Sequence, residues 1–297
     1  MSELSTPDFL FAINASAGNS DVKWKDTIRN YFTENKVSFS FYDIPESPDV
    51  QQLREVIVKS GAKHVVAVGG DGTVTMVAGI LSGLDKTLGI LPAGSANGMA
   101  KELSIPDDPE AAMEVLIKGH SRGCDYILVN NKRTCLHMSD IGLNAQLIKY
   151  FDEGQLRGKM GYARMILKTL WFKEKMQVIM HTKDLEVKRN AFMVVLANAS
   201  KYGTGAVINP EGQLDDGLFE VVVVRKLSFM ALLRMLIKPG PFNPKHIEIF
   251  PCTGVEIKTL KKVHFQVDGE YLGKVKEISA KIVTGKLRLI LPPAKPK

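Results

Sequence analysis

Cysteine is scarce in this 297-residue chain, which has only Cys124, Cys135 and Cys252. An odd number of cysteines without a CxxC pair supports neither a disulfide framework nor a zinc knuckle, and it favours a reducing compartment. No apolar run approaches the roughly 20 residues that span a bilayer, and the first residues lack the basic and apolar regions of a secretory signal. The sequence therefore predicts a cytoplasmic protein, either soluble or peripherally membrane-associated.

Three familiar site patterns are also missing. The six histidines show no HExxH or similar ligand spacing, so solvated or packed histidines are favoured over a metal site. There is no GxxxxGK[ST] segment, and the glycines around Gly70 do not complete GxGxxG. These absences argue against a P-loop protein and an ordinary dinucleotide-binding fold.

Charge is unevenly distributed along the chain, whose formal net charge is +7. Up to Cys124 there are 11 Lys and Arg against 16 Asp and Glu, and after it 28 against 16, giving −5 and +12. Such a basic half suits nucleic acid, a membrane surface or phosphorylated ligands. No aromatic and basic recognition motif accompanies the charge, so we expect no nucleic-acid partner.

The length favours two domains, and the pattern changes near Cys124. Before it, short apolar strands alternate with helices, which predicts an α/β domain with a mostly parallel sheet over residues 1–124. After it, β-rich segments predict a mainly β domain over 125–285, interrupted by helices at Lys159–Phe172 and Phe229–Lys238. Residues 286–297 form a C-terminal strand and tail that we expect to return to the first domain.

A glycine-rich turn, Gly69-Gly70-Asp71-Gly72-Thr73, joins the apolar strand His64–Val68 to a helix predicted over Val74–Leu81. Glycines at the carboxyl end of a parallel strand let backbone amides approach phosphate oxygens. Asp71 would repel phosphate unless it holds Mg²⁺ or accepts a proton from an attacking hydroxyl. The alternative is a plain turn, since Gly-Asp-Gly is good turn chemistry.

A second small-residue turn, Pro92–Gly98, again links a strand to a helix, and Ser95 could donate its hydroxyl to phosphate. Capping of the helix by Ser95 or Asn97 is an equal alternative. Two later turns carry carboxylates, Asp215-Asp216-Gly217 and Asp268-Gly269-Glu270. Either could be only a hairpin turn.

These motifs, in the order in which they occur along the chain, resemble those of the diacylglycerol kinase catalytic-domain family, in its bacterial soluble lipid-kinase branch. The matching segments are Asn14–Gly18, Val66–Thr73 with Gly89–Leu103, Ile141-Gly142 with Gly161-Tyr162-Ala163, Pro210–Phe219 and Val267–Glu270. The resemblance implies an NAD kinase/diacylglycerol kinase-like fold, with an N-terminal α/β nucleotide domain and a C-terminal β-sandwich. It further implies ATP in the cleft and phosphoryl transfer to the hydroxyl of diacylglycerol or a similar lipid alcohol.

Site residues follow from the resemblance, position by position. It implies Mg²⁺ held by the Asp216 carboxylate and the backbone carbonyls of Gln213 and Leu218. It makes Glu270 the general base, with Asp71 acting near the phosphates and metal. Nucleotide contacts would fall on Asn14, Asp43, Gly69, Gly70, Asp71, Gly72, Thr73, Val74, Thr75 and Ser95.

The chain departs from the family pattern in two places. Thr75-Met76 stands where the family commonly has a pair ending in Asn-Glu, and Gly98 replaces an aspartate. Two alternatives stay open. One is an NAD kinase-like phosphotransferase, since NAD kinase shares GGDGT, and the other, suggested by these departures, is a nucleotide- or lipid-binding regulator that has lost catalysis. The later motifs fit the lipid kinases better than NAD kinase, and the retained Asp71, Asp216 and Glu270 argue against a dead enzyme.

The expected partners are ATP and a lipid substrate at an anionic membrane surface. An apolar face flanked by basic residues over 157–175 is typical of an interfacial helix, although a core-packed helix with a solvated basic side explains it equally well. The sequence does not determine the oligomeric state, so a homodimer stays open.

Overall fold

A computed structural model of the protein describes residues 6–14, 22–152, 175–183, 185–200, 207–226 and 244–293. The chain divides into two units. The N-terminal unit comprises Met1–Cys124 and Thr284–Lys297, and the C-terminal unit comprises Asp125–Val283. Among the described residues, none of the helices combines the length and apolar character needed to cross a membrane.

Parallel strands form the centre of the N-terminal unit. They are β1 (Phe9–Asn14), β2 (Phe39–Ile44), β3 (His64–Gly69) and β4 (Thr87–Pro92), arranged in the order β4-β3-β1-β2. Strand β14 (Glu270–Leu291) contributes its last residues to this sheet, where Leu289 pairs in parallel with Leu88. Residues of β1, β3 and β4 are buried almost throughout, as apolar runs in a sheet covered on both faces should be.

Five described helices connect and cover these strands: α1 (Trp24–Glu34), α2 (Val50–Lys59), α3 (Asp71–Leu81), α4 (Gly98–Glu102) and α5 (Pro109–Lys118). Local signals explain two of their starts. The Asp49 side chain accepts hydrogen bonds from amides in the first turn of α2, and Asp108 does so for α5, whose first residue is proline.

The C-terminal unit is mainly antiparallel sheet. Its described elements are β5 (His120–Val129, which begins in the N-terminal unit), β6 (Arg133–Cys135), β7 (Met138–Gly142), α6 (Leu143–Asp152), β8 (Met176–Thr182), β9 (Glu186–Ala191), β10 (Met193–Ala197), β11 (Phe219–Val224), a 3₁₀ turn (Pro244–His246), β12 (Ile247–Cys252), β13 (Gly254–Val267) and the first part of β14. The strands run in the order β12-β11-β10-β7-β13-β14, and β8 pairs with β13 and β9. The main core of the unit contains Val178, Leu196, Phe219, Val221 and Ile257.

The predicted fold class, a parallel α/β domain followed by a β domain, is confirmed. Several elements differ in detail. Residues predicted as two strands, Val255–Thr259 and Val263–Val267, belong to the single strand β13. Strand β9 escaped prediction because its Glu, Lys, Arg and Asn residues give little β signal. The predicted helices at 159–172 and 229–238 lie outside the described residues.

Candidate functional site

Three motif segments end at one edge of the N-terminal sheet. The register pairs Ile13 of β1 with Val68 of β3, and Gly69 of β3 with Pro92 of β4, so these strands end side by side. Asn14 and the two glycine-rich turns follow at their carboxyl ends. This is the edge of a parallel sheet where α/β proteins bind ligands.

The two glycine-rich turns are in backbone contact. The Ala93 amide donates to the Gly69 carbonyl at 3.0 Å, and a Cβ added to Gly94 would lie 2.4 Å from the Gly70 Cα. A side chain at position 94 would therefore push the two turns apart. Glycine at this position is explained by the close approach alone, whatever the turns bind.

Asp71 connects the first turn to the helix that follows the second. Its Oδ2 accepts from the Gly98 amide and its Oδ1 from the Met99 amide, both at 2.9 Å. These amides open α4, where they have no partner within the helix. The prediction for Asp71 was a role beside phosphate and metal, and the structure adds a positioning role that the sequence did not indicate.

Asn97 holds the second turn in shape. Its Oδ1 accepts from the Gly94 amide at 2.9 Å, and its Nδ2 donates to the Gly94 carbonyl at 2.8 Å. Asn97 has a left-handed φ of 50° and precedes α4, but its side chain makes no capping hydrogen bond to the helix. The capping interpretation therefore fails for Asn97. Ser95 is exposed at the tip of the turn.

Asn14 reaches the first turn through Thr73, since its Nδ2 donates to the Thr73 Oγ1 at 3.1 Å. Thr73 and Val74 are buried, while Gly72 is exposed and Gly70 and Thr75 are half-buried. The predicted nucleotide residues Asn14, Gly69–Thr75 and Ser95 thus lie on neighbouring segments.

Asp43 lies farther along the same edge. It is at the end of β2, where it pairs with Ile13, and its Oδ2 lies 2.6 Å from the Lys25 Nζ. Both side chains are exposed. The structure places Asp43 in an ion pair on the strand next to β1, and its contact with a nucleotide stays a prediction.

The Asp215-Asp216-Gly217 turn belongs to the C-terminal unit, and hydrogen bonds with Asp125 fix its backbone. The buried Asp125 accepts from the Gly217 amide through Oδ2 at 2.8 Å, and its own amide donates to the Leu214 carbonyl at 2.6 Å. Gly217 has a φ of +77°, which favours glycine. Asp125 was missed by sequence reasoning because no motif surrounds it.

The oxygen atoms of this turn suit Mg²⁺. Gln213 and Asp216 are exposed, and the Asp216 Oδ1 accepts from the Leu218 amide at 3.0 Å. One carboxylate with two backbone carbonyls and waters is an oxygen-only set of the kind Mg²⁺ prefers. No cluster of three or more His, Cys, Asp or Glu that could hold a metal occurs in the described parts of the chain, so a site here depends on carbonyls.

Glu220 follows this turn and is buried, with its Oε2 accepting from the Asn209 Nδ2. Burial raises the pKa of the Glu220 carboxyl, and the nearby Asp216 charge acts in the same direction, although the Asn209 hydrogen bond opposes them. A carboxylate charge is thus costly at position 220.

The Glu270 turn is anchored by its neighbour. Asp268 and Gly269 have φ values of 46° and 87° and connect β13 to β14. The Asp268 carboxylate accepts three amides, those of Leu136 at 2.8 Å, His137 at 2.9 Å and Met138 at 3.0 Å. This fixes the backbone from which Glu270 extends.

Glu270 itself is exposed and meets a cation. The Arg133 Nη1 lies 3.2 Å from the Glu270 Oε2, and both side chains are about half exposed or more, at 48% and 64%. Arg133 comes from β6, so a second strand helps to orient the carboxylate. Sequence reasoning missed Arg133 because it is 137 residues from Glu270.

The fold and these turns define a protein of two units, with two glycine-rich turns on the α/β unit and two acidic turns on the β unit. Residues 8–129 match the family model "Diacylglycerol kinase catalytic domain". Residues 138–291, more than half of the chain, match "YegS C-terminal NAD kinase beta sandwich-like domain". The chain therefore belongs to the family of proteins that combine a diacylglycerol kinase catalytic domain with a YegS C-terminal domain. The resemblance to the diacylglycerol kinase family that the motifs indicated is confirmed.

Curated relatives cover most of the chain. A protein of Pectobacterium atrosepticum named "Probable lipid kinase YegS-like" is 26% identical over 255 residues, 84% of each chain. One with the same name from Yersinia enterocolitica is 25% identical over 295 residues, covering 97% of this chain and 98% of its own. Sequence similarity thus extends through both units.

Solved structures share the fold. A crystal structure described as a diacylglycerol kinase from Bacillus anthracis superposes with a TM-score of 0.72 at 19% identity, covering 98% of this chain and 99% of that one. A second structure from that organism superposes with a TM-score of 0.78 at 20% identity, with the same coverage of both chains. At this identity the likeness concerns the fold alone.

Proposed function

We propose that the protein is an ATP-dependent lipid kinase that phosphorylates diacylglycerol or a similar lipid alcohol. The observation that carries the proposal is the joined pair of glycine turns at the carboxyl edge of the N-terminal sheet. Family membership and the relatives named as lipid kinases support it. In this proposal residues 1–124 are the nucleotide domain and 125–285 the lipid-substrate domain.

The N-terminal unit would bind the ATP phosphates through backbone amides. Exposed Gly72 and half-buried Gly70 offer amides without a Cβ, and Ser95 adds a hydroxyl from the second turn. Asp71 acts as a positioning residue, because its carboxylate holds the first amides of α4 and so fixes one turn against the other. Phosphoryl transfer depends mainly on such positioning and on charge neutralisation.

Asp216, with the carbonyls of Gln213 and Leu218, would hold Mg²⁺ in the C-terminal unit. When bound, the ion supplies positive charge that the phosphates need. Asp125 contributes indirectly by fixing the Gly217 amide.

Glu270 would act as the general base. It accepts the proton of the lipid hydroxyl as that oxygen bonds to the γ-phosphorus and the bond to ADP breaks. Asp268 fixes the backbone of the turn and Arg133 orients the carboxylate. The protein would act in the cytoplasm at an anionic membrane surface, where its lipid substrate resides.

A radiolabelled-ATP assay over a panel of lipid alcohols in mixed micelles with MgCl₂ tests the proposal. We expect phosphorylation of at least one lipid, a loss of about 10²-fold or more for Glu270→Gln, and near-normal activity for Glu277→Gln, an exposed carboxylate on the same strand. NAD serves as the competing acceptor. Phosphorylation of NAD alone, tight ATP binding without any turnover, or equal activity of Glu270→Gln and the wild type would overturn it.

A further inference from the structure

Strand β13 carries a bulge on one side of the C-terminal unit. Lys258 pairs with Glu277 and Val263 with Val275, so four residues of β13, 259–262, lie opposite the single residue Lys276 of β14. Extra residues in one strand are pushed out of the ladder. The Thr259 hydroxyl lies 2.9 Å from the Lys261 carbonyl and 3.1 Å from the Lys276 carbonyl, which fixes the backbone of this segment. We call residues 259–262 the Leu260 bulge.

Leu260 is the most exposed large hydrophobic residue in the described part of the chain, at 66%. Its bulge neighbours Lys261 and Lys262 are exposed, as are Lys258 before it and Lys276 across the ladder. A single exposed leucine is ordinary on a protein surface. A leucine on a bulge that Thr259 fixes, beside four lysines and the single acid Glu277 opposite Lys258, is a more specific arrangement, because an apolar group and an excess of positive charge are presented together.

We propose that the Leu260 bulge is a membrane-contact element for an anionic bilayer. Leu260 would enter the boundary between headgroups and acyl chains, and the lysines, whose long stems let their charges reach outward, would contact lipid phosphates. Charge complementarity selects this occupant, since a neutral apolar partner would leave the lysines desolvated without counter-charges. The inference rests on the proposed function, which needs the protein to meet a lipid at a surface.

The chain offers a matched control at the turn between β8 and β9. Leu185 is also exposed, at 57%. Its neighbour Glu186 lies 3.5 Å from His181 and 3.3 Å from Lys188, so a carboxylate accompanies this leucine. An exposed leucine beside an acid should not favour an anionic surface.

The experiment measures binding of the full chain to vesicles by flotation, with no nucleotide and no turnover. Vesicles contain phosphatidylcholine alone or with phosphatidylglycerol. We expect binding only to the anionic vesicles, falling steeply with salt. Leu260→Asp should weaken the partition coefficient about tenfold or more, Lys261→Gln with Lys262→Gln about thirtyfold, and Leu185→Asp should leave it within about twofold. Circular dichroism confirms that each variant folds.

Equal binding of Leu260→Asp and Leu185→Asp would overturn the proposal, as would equal binding to neutral and anionic vesicles. A change in oligomeric state for Leu260→Asp in sedimentation would also overturn it, by assigning the bulge to a second copy. Because the readout is vesicle binding, these outcomes are separate from the lipid-kinase assay. An inactive protein that still binds through the bulge would reject the kinase proposal alone.

Discussion

The Asp71 carboxylate accepts the backbone amide of Met99 at 2.9 Å, across 28 residues of sequence. Its second oxygen accepts from the Gly98 amide, also at 2.9 Å. A carboxylate at the N-terminus of a helix also interacts favourably with the helix dipole. The Asp71 carboxylate therefore joins the first glycine-rich turn to the start of α4, which follows the second turn.

If Asp71 positions the turns, its removal should destabilise the protein before any ligand is added. We expect Asp71→Ala to lower the free energy of unfolding by about 1–3 kcal/mol, since two partly buried amides lose a charged acceptor. Urea unfolding of the nucleotide-free protein measures this. Asp85→Ala, an exposed aspartate in the same unit, is the control. Unchanged stability with lost ATP binding would instead assign Asp71 to the ligand alone.

Glycines of the two turns should differ in role, since Gly94 is needed for packing of the turns and Gly72 for contact with a ligand. Gly94→Ala should cost about 1–3 kcal/mol of stability, because its Cβ would collide with the Gly70 backbone. A Cβ on Gly72 would meet nothing within 4 Å, so Gly72→Ala should keep the stability. If the Gly72 backbone faces phosphate, calorimetry should nevertheless show weaker ATP binding for that variant. Normal ATP affinity in Gly72→Ala would remove this residue from the nucleotide site.

Arg133 should affect turnover without affecting folding. We expect Arg133→Ala to lower kcat about tenfold, because Glu270 loses the cation that orients it, while the KM for ATP and the melting temperature stay nearly constant. Arg133→Lys should recover most of the rate, since it restores the charge. Lys132→Ala is the neighbouring control. Equal rates in all three variants would show that the ion pair does not position Glu270.

Glu248 should make stability depend on acid pH. Its carboxylate lies 2.8 Å from the Arg189 Nε and also contacts Arg225. Burial acts to raise the pKa of Glu248, but the hydrogen bonds and charges of the two arginines outweigh it, and the net shift is downward. A carboxyl group whose pKa is lowered by folding stabilises the folded state at pH values above its ordinary pKa near 4.3. This contribution is lost as the pH falls through the pKa that the group has in the folded state.

Glu248→Gln should therefore lower stability by about 1–3 kcal/mol at pH 7, and the difference from wild type should shrink as the pH falls below about 5. Thermal unfolding across pH measures it. Glu256→Gln, which changes an exposed carboxylate on β13, is the control. A constant difference between pH 3 and pH 7 would show that charge is not the cause.

Local chemistry made much of the N-terminal unit predictable. The apolar run Val65–Val68 is buried on β3, and the glycines after it mark the turn where a ligand can approach. Long-range pairs were not predictable in the same way. Asp71 meets Gly98, and Arg133 meets Glu270, only because strand register brings distant segments together.

Elements with weak local patterns also escaped. Strand β12 contains a proline, which is unusual within a strand, and the first part of β14 is rich in lysine and glutamate, so neither has a strong β signal. Helix α5 was missed although Asp108 and Pro109 form a recognisable start. The break expected between Thr259 and Val263 proved to be a bulge inside β13.

The last residues of β14 belong to the N-terminal unit. Leu289 pairs with Leu88, the Lys286 carbonyl accepts from the Gly83 amide at 3.0 Å, and Arg288 donates to the Ser121 hydroxyl at 3.0 Å. The N-terminal unit thus lacks one of its strands until residues 286–291 have been synthesised. The C-terminal unit, continuous from Asp125 to Val283, can therefore finish folding first, although most of the N-terminal unit precedes it in the sequence.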